Sequence, residues 1–236
     1  MNPASRPFAS PAFTRALASA VLTVGVIGAF AGVTYAVNGA TQARGQVVVP
    51  AEARPGARFA VAGPAVPGTA APGTAAPSEV TVDPEDNVIR LNAPGKDQAS
   101  WLEISAGNVQ LRAADSTVAE QVLARGGFAV LGLCLGAGAV LLRRLLVSIA
   151  DGDPFERRNA GRIALIAGLV AVAAVASELL PILATDLVVN RIGWSGLVHS
   201  QLDLPLAPLA AVPILLVLAQ AFRRGTELAA DTEGLV

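Results

Sequence analysis

The residues of this chain that could do chemistry are few and scattered. Glu178 stands inside the apolar run Ile163 to Val189, three positions before Pro181. An acid deep in hydrocarbon costs about 2.5–3.5 kcal/mol on insertion scales, so it must be protonated, paired or hydrated. Two readings follow: a proton or ligand site beside the break at Pro181, or a side chain neutralised by a partner such as Arg191. Asp186 lies nearer the end of the same run and reads as interfacial. Cys134, the single cysteine, sits among apolar neighbours and reads as a small packing residue. His199, the single histidine, cannot build a zinc site alone, and its loop setting makes it a solvated side chain by default. No nucleophile elbow, zinc-binding helix motif, phosphate loop or dinucleotide fingerprint occurs. The expectation is a protein that is not an enzyme, with no catalytic, cofactor-binding or metal-binding residues.

What would position such residues is set by composition. The 236 residues are 53% hydrophobic and 15% charged, against about a quarter charged in soluble domains. That deficit points to a membrane protein. A net charge of -1 argues against direct nucleic-acid binding.

The densest chemistry is a charged turn between two apolar runs. From Arg143 to Arg162 it holds five of the seventeen basic residues, around Gly152-Asp153-Pro154-Phe155. The order of residues predicts Asp153 as a helix N-cap, Pro154 as the first helical residue, and Glu156 reaching back to the cap.

Taken in order, residues 1–15 read as a disordered cytoplasmic tail, and 16–37 as a first transmembrane helix. Its uncharged run exceeds the roughly 7–15 residues of a signal-peptide core, which favours an uncleaved anchor. Residues 38–115 form an extracytoplasmic region: an Ala/Pro-rich extended linker at 50–78, then a small β-domain at 79–113. The β reading rests on period-two pairs: Val80 and Val82, Ile89 and Leu91, Leu102 and Ile104, Val109 and Leu111. Turns are expected at Asp83-Pro84, Pro94-Gly95 and Gly107-Asn108, and 46–49 and 58–61 could add strands. A second transmembrane helix with extensions covers 116–151, opened by Ser116; a cytoplasmic hinge covers 152–162. A third helix follows at 163–189, an outer loop at 190–203 with Trp194 in the headgroup zone, a fourth helix at 204–222 with a kink expected at Pro213, and a polar cytoplasmic tail at 223–236. Gln220 is expected to hydrogen-bond between helices. Gly28 with Gly32, and Gly132 with Gly136, are small-residue faces suited to close helix packing inside a bundle, or secondarily to a homo-oligomer.

Arginine fixes the expected orientation. Nine basic residues fall in the two termini and the hinge, against Arg191 alone in the short opposite loop. The fold class expected is therefore mainly α, integral to a membrane: four transmembrane helices, both termini cytoplasmic, and a small extracytoplasmic antiparallel β insertion between helices 1 and 2.

The hinge Gly152-Asp153-Pro154-Phe155 with Asn159 and Arg162, and the tail Phe222-Arg223-Arg224-Gly225 with Leu228, resemble the bacterial membrane-protein family "domain of unknown function 2975". The resemblance covers roughly Val118 to Val236. It implies a four-helix inner-membrane protein, often encoded beside a small helix-turn-helix regulator, and no known catalytic residues. The chain departs from it in the long Ala/Pro-rich linker. On this basis the expected function is signalling or regulation: an outer β-domain coupled to a cytoplasmic partner, a small transcriptional regulator. Asp153, Pro154, Phe155, Asn159, Arg162, Phe222, Gly225 and Leu228 would form the docking surface or a purely structural hinge. Membrane lipid is the other expected partner, held by the arginines. The alternative is an oligomeric transporter or export accessory with Glu178 in its pathway, beside Pro181 and Pro213.

Overall fold

The computed structural model describes residues 10–55, 60–61, 82–83, 88–92, 100–105, 108–200, 202 and 205–233. Arg6, most of the Ala/Pro-rich stretch, Arg58, Val80, Pro84, the Pro94-Gly95 turn, Gly107 and Val236 lie outside the described residues.

Four helices dominate: α1 (Pro11–Thr41), α2 (Val118–Ala150), α3 (Arg157–Ile192) and α4 (Leu206–Glu233). All four are long and apolar enough to cross a membrane. At 1.5 Å per residue even the shortest exceeds the roughly 30 Å of a bilayer's hydrocarbon. Helices α1, α3 and α4 each end further along the chain than expected, whereas α2 falls within the expected 116–151. Helix α1 starts at Pro11, within the 1–15 stretch expected to be a disordered tail, because Ser10 caps it: the Phe13 amide donates to Ser10 Oγ at 3.2 Å, with proline in the first turn where its missing amide costs nothing. Helix α4 continues through Arg223 and Arg224 to Glu233, and Pro213 lies inside it without ending it.

The elements group into two units. The helical unit takes the chain up to Tyr35, Gly127–Ser177, and the chain from Leu204. Its tightest packing is between α1 and α2. A Cβ on Gly132 would lie 2.6 Å from Gly28 O and 3.1 Å from Gly32 Cα, and one on Gly136 would lie 2.9 Å from Ala29 Cβ. Here glycine is required for backbones to touch. The two small-residue faces are thus used on each other within one chain. Tyr35 and Phe128 extend the seam edge to face, ring centres 5.2 Å apart.

The second unit takes Ala36–Gly126 and Glu178–Asp203. Among the described residues its main sheet has six strands: β1 (Val47–Pro50), β3 (Ala60–Val61), β4 (Val82–Asp83), β5 (Val88–Asn92), β6 (Trp101–Ser105) and β7 (Asn108–Ala113). The order is β1-β7-β6-β5-β3, with β4 also on β5, and every pairing is antiparallel. Register aligns the apolar alternation: Leu91 with Leu102, Leu102 with Leu111, Ile89 with Ile104, and Ile104 with Val109. Val47, Val49, Leu102, Leu111 and Ala113 are buried from this sheet against Ala184, Val188 and Trp194.

Two readings of the 190–203 loop need correction. Trp194 does not face a headgroup zone; it is 1% exposed, in the core of this unit. Gly193, at φ +73°, ends α3 in the left-handed conformation, so Gly193 N–H bonds Asn190 O and Trp194 N–H bonds Val189 O. This closing turn characteristically folds the residue after the glycine back onto the helix. Next, Val198–His199 form strand β8, paired with β2 (Glu52–Ala53). His199 is therefore held in a ladder, its Nε2 3.5 Å from Glu52.

Candidate functional site at the charged turn

The end of α2 and the start of α3 explain how the charged turn is built. Gly152, at φ +89°, takes the left-handed position just past α2. Its N–H bonds Ile149 O at 3.2 Å, and the Asp153 N–H bonds Ser148 O at 3.0 Å, satisfying carbonyls the helix would otherwise leave open. Asp153 thus finishes α2 through its backbone. It is not the N-cap of α3, which begins at Arg157. Its carboxylate is exposed and makes no hydrogen bond or ion pair among the described residues.

The organising side chain is Asn159, which is 0% exposed. Its Nδ2 donates to Ser148 Oγ at 2.7 Å and to Pro154 O at 3.0 Å. Its Oδ1 accepts from Arg162 Nη1 at 2.6 Å. Arg162 also pairs with Glu156, at 2.8 Å, and reaches Arg144 O at 3.4 Å. Both ends of one amide are therefore engaged, and the turn is stitched to both helices. Buried polar groups persist only when satisfied in this way.

Phe155 projects from this stitched turn and is gripped by α4. Its ring centre is 5.8 Å from that of Phe222. Thr226 Oγ1 lies 2.9 Å from Phe155 O and 3.0 Å from Phe222 O. Gly225 leaves room for the ring: a Cβ there would lie 2.6 Å from Phe155 Cδ1. Even so, Phe155 stays 44% exposed, and Leu228, one turn past Gly225, is 66% exposed. The turn and tail residues singled out in the sequence are brought together, and the structure divides their labour. Asn159, Arg162, Pro154, Phe222 and Gly225 build the site; Phe155 and Leu228 show apolar surface.

No family model, curated protein or solved structure matches the chain.

Glu178 is half-buried and makes no hydrogen bond or ion pair among the described residues. Arg191 is not its partner. Arg191 Nε instead donates to Glu120 at 2.7 Å, and the Glu120 side chain is 3% exposed. Glu120 also closes a capping box at the start of α2: the Thr117 amide donates to Glu120 Oε2 at 2.8 Å, and the Glu120 amide to Thr117 Oγ1 at 3.2 Å. The sequence signal was present in Thr117-Val-Ala-Glu120, one residue past the Ser116 taken as the opening. Ser116 has another task, since its Oγ donates to Gly45 O at 2.9 Å and accepts from the buried Gln121 at 2.8 Å. Asp186 accepts from Ser200 Oγ at 3.1 Å. Gln220 is exposed and makes none of the expected interhelical hydrogen bonds among the described residues.

The helical unit also carries a half-open apolar cavity of about 790 Å³. It extends from Leu142, Leu145, Ile163 and Phe222 at one end to Ser177 at the other, with Cys134 in its wall and no charged side chain in its lining. Among the described residues no three His, Cys, Asp or Glu gather as a metal ion would need.

Proposed function

We propose that this chain is a multi-pass protein of the bacterial inner membrane that works as a signalling or regulatory component. The termini and charged turn face the cytoplasm, and the β unit lies outside it. Large apolar residues left open on the long helices, such as Val24 and Phe30 on α1 and Ile214 and Val217 on α4, support insertion in lipid. Nine basic residues on the termini and turn, against one in the opposite short loop, support the orientation. The resemblance of the turn and tail motifs to the family named above agrees with both.

One observation carries the regulatory reading. Phe155 is fixed in place by α4 yet remains 44% exposed, two residues before the Arg157–Arg158 pair, and Leu228 further along α4 is 66% exposed. Rigid aromatic and aliphatic anchors rimmed by arginine suit a soluble protein partner. A small helix-turn-helix regulator is the partner proposed. The transport alternative gains nothing from the cavity, whose uncharged lining offers a polar solute no replacement for lost water.

The test is in-cell crosslinking through a C-terminal tag, with mass spectrometry of the captured proteins. Leu228→Asp and Phe155→Ala serve as controls; Asn159 is unsuitable because it is buried. A small DNA-binding protein captured by the native chain and lost from both variants supports the proposal. Equal capture by the variants, or capture of nothing soluble, sinks it.

A further inference from the structure

Resting on the reading that the four helices cross a membrane, we infer that the apolar cavity of the helical unit is a binding site for one acyl chain of an anionic phospholipid. Exposed arginines at the Leu145–Phe222 end would meet its phosphate.

Length, lining and charge each support this occupant. The cavity follows α2 from Leu131 to Leu145 and α3 from Ile163 to Ser177. Fourteen residues of helix rise about 21 Å, more than one leaflet's share of a hydrocarbon core about 30 Å thick. The walls are aliphatic, so a tail fits and a hydrated solute does not.

Charge distinguishes the two ends. Leu142 and Leu145 flank Arg143 and Arg144, and Phe222 immediately precedes Arg223 and Arg224. All four arginines are exposed. Among the described residues Arg143, Arg144 and Arg224 have no side-chain partner, and Arg223 has only an exposed 3.5 Å pair with Glu227. Long arginine side chains reach up to phosphates at this level. No acid lines the cavity to repel an anionic headgroup.

Gly138 lines the cavity, and a Cβ there would meet only Leu169 Cδ1 at 4.0 Å. Gly138→Phe therefore fills the space without backbone conflict. The single cysteine, Cys134, marks the same wall.

The experiment uses the full chain, first washed in its native membranes with alkaline carbonate, then purified in detergent. It is analysed by native mass spectrometry with dioleoyl-phosphatidylglycerol or dioleoyl-phosphatidylcholine. Expected are retention in the carbonate-washed membrane, one tightly held phosphatidylglycerol per chain, and weaker retention of phosphatidylcholine. Gly138→Phe should lose this lipid, and Arg143→Gln with Arg144→Gln should weaken the headgroup preference by about fivefold per arginine. A phosphatidylglycerol with a photoreactive acyl chain, used on the unaltered protein, should label the segments around Cys134 and Leu169. Release by carbonate would overturn the membrane reading and the site with it. Membrane retention with equal holding of both lipids, or labelling spread evenly onto Phe30 and Ile214, would overturn the site alone.

Discussion

Asn159 reaches back across the charged turn to Ser148, placing its amide nitrogen 2.7 Å from the serine hydroxyl, which itself donates to Leu145 O at 2.9 Å. A chain reversal rich in charge is thus held by a neutral amide that water does not touch. The most hydrophilic-looking segment of the sequence has a buried centre.

That relationship separates two residues that look equally important in the sequence. Asn159→Ala leaves Ser148, Pro154 O and Arg162 without their shared partner and should cost about 1–3 kcal/mol. Asp153→Ala should cost under about 0.5 kcal/mol, because the residue acts through its backbone. Thermal unfolding in detergent, comparing the two variants, checks this. Equal losses would restore the N-cap role to Asp153.

Glycines give a second contrast. Gly132→Leu forces a side chain into Gly28 O and the α1 backbone, so α1 and α2 should separate. A Cβ on Gly161 meets nothing within 4 Å, and Gly161→Ala should stabilise α3 by about 0.5–1 kcal/mol. Engineered disulfide formation between α1 and α2, in each background, reports the separation.

The Glu120–Arg191 pair should behave as a buried ion pair. Arg191→Met leaves a carboxylate with a 3% exposed side chain unpaired and should cost about 3–5 kcal/mol. Adding Glu120→Gln to that variant should recover part of the loss. A double-mutant cycle by denaturant unfolding measures the coupling; additivity within about 0.5 kcal/mol would show that the pair contributes nothing of its own.

Glu178→Gln should leave stability unchanged or slightly raised, since no described partner is lost. A clear fall in melting temperature would reveal a partner that neutralises the acid.

The four helices and the period-two strands were legible because both signals are local. Ile89, Leu91, Leu102, Ile104, Val109 and Leu111 alternate within their own strands, and the register simply aligns them. Long-range pairing was not legible. Arg191 shares its helix with two acids, Glu178 and Asp186, yet its partner is Glu120, 71 positions away. At the turn, Asp-Pro-x-Glu matched a helix start, while Gly152 matched a helix stop. The stop prevailed at Asp153, whose amide was already committed to Ser148 O. Trp194 was misplaced for a related reason: the fold-back after Gly193 turns an interfacial-looking aromatic inward.

The Arg44 amide bonds Ser116 O at 2.8 Å, and the Ser116 amide bonds Gly45 O at 3.1 Å, so the chain enters and leaves the long insertion through one doubly hydrogen-bonded point. Closing a loop costs entropy that grows only with the logarithm of its length, about 0.6 kcal/mol for each doubling. With the ends already joined, an Ala/Pro-rich stretch between them can lengthen or shorten at little thermodynamic expense, while Val47, Val49, Leu102 and Leu111 stay in the core. The Pro-Gly-Thr-Ala-Ala repeat is where such drift would leave its mark. The Ala/Pro-rich stretch is thereby free to diversify while α1 and α2 keep their glycine contact.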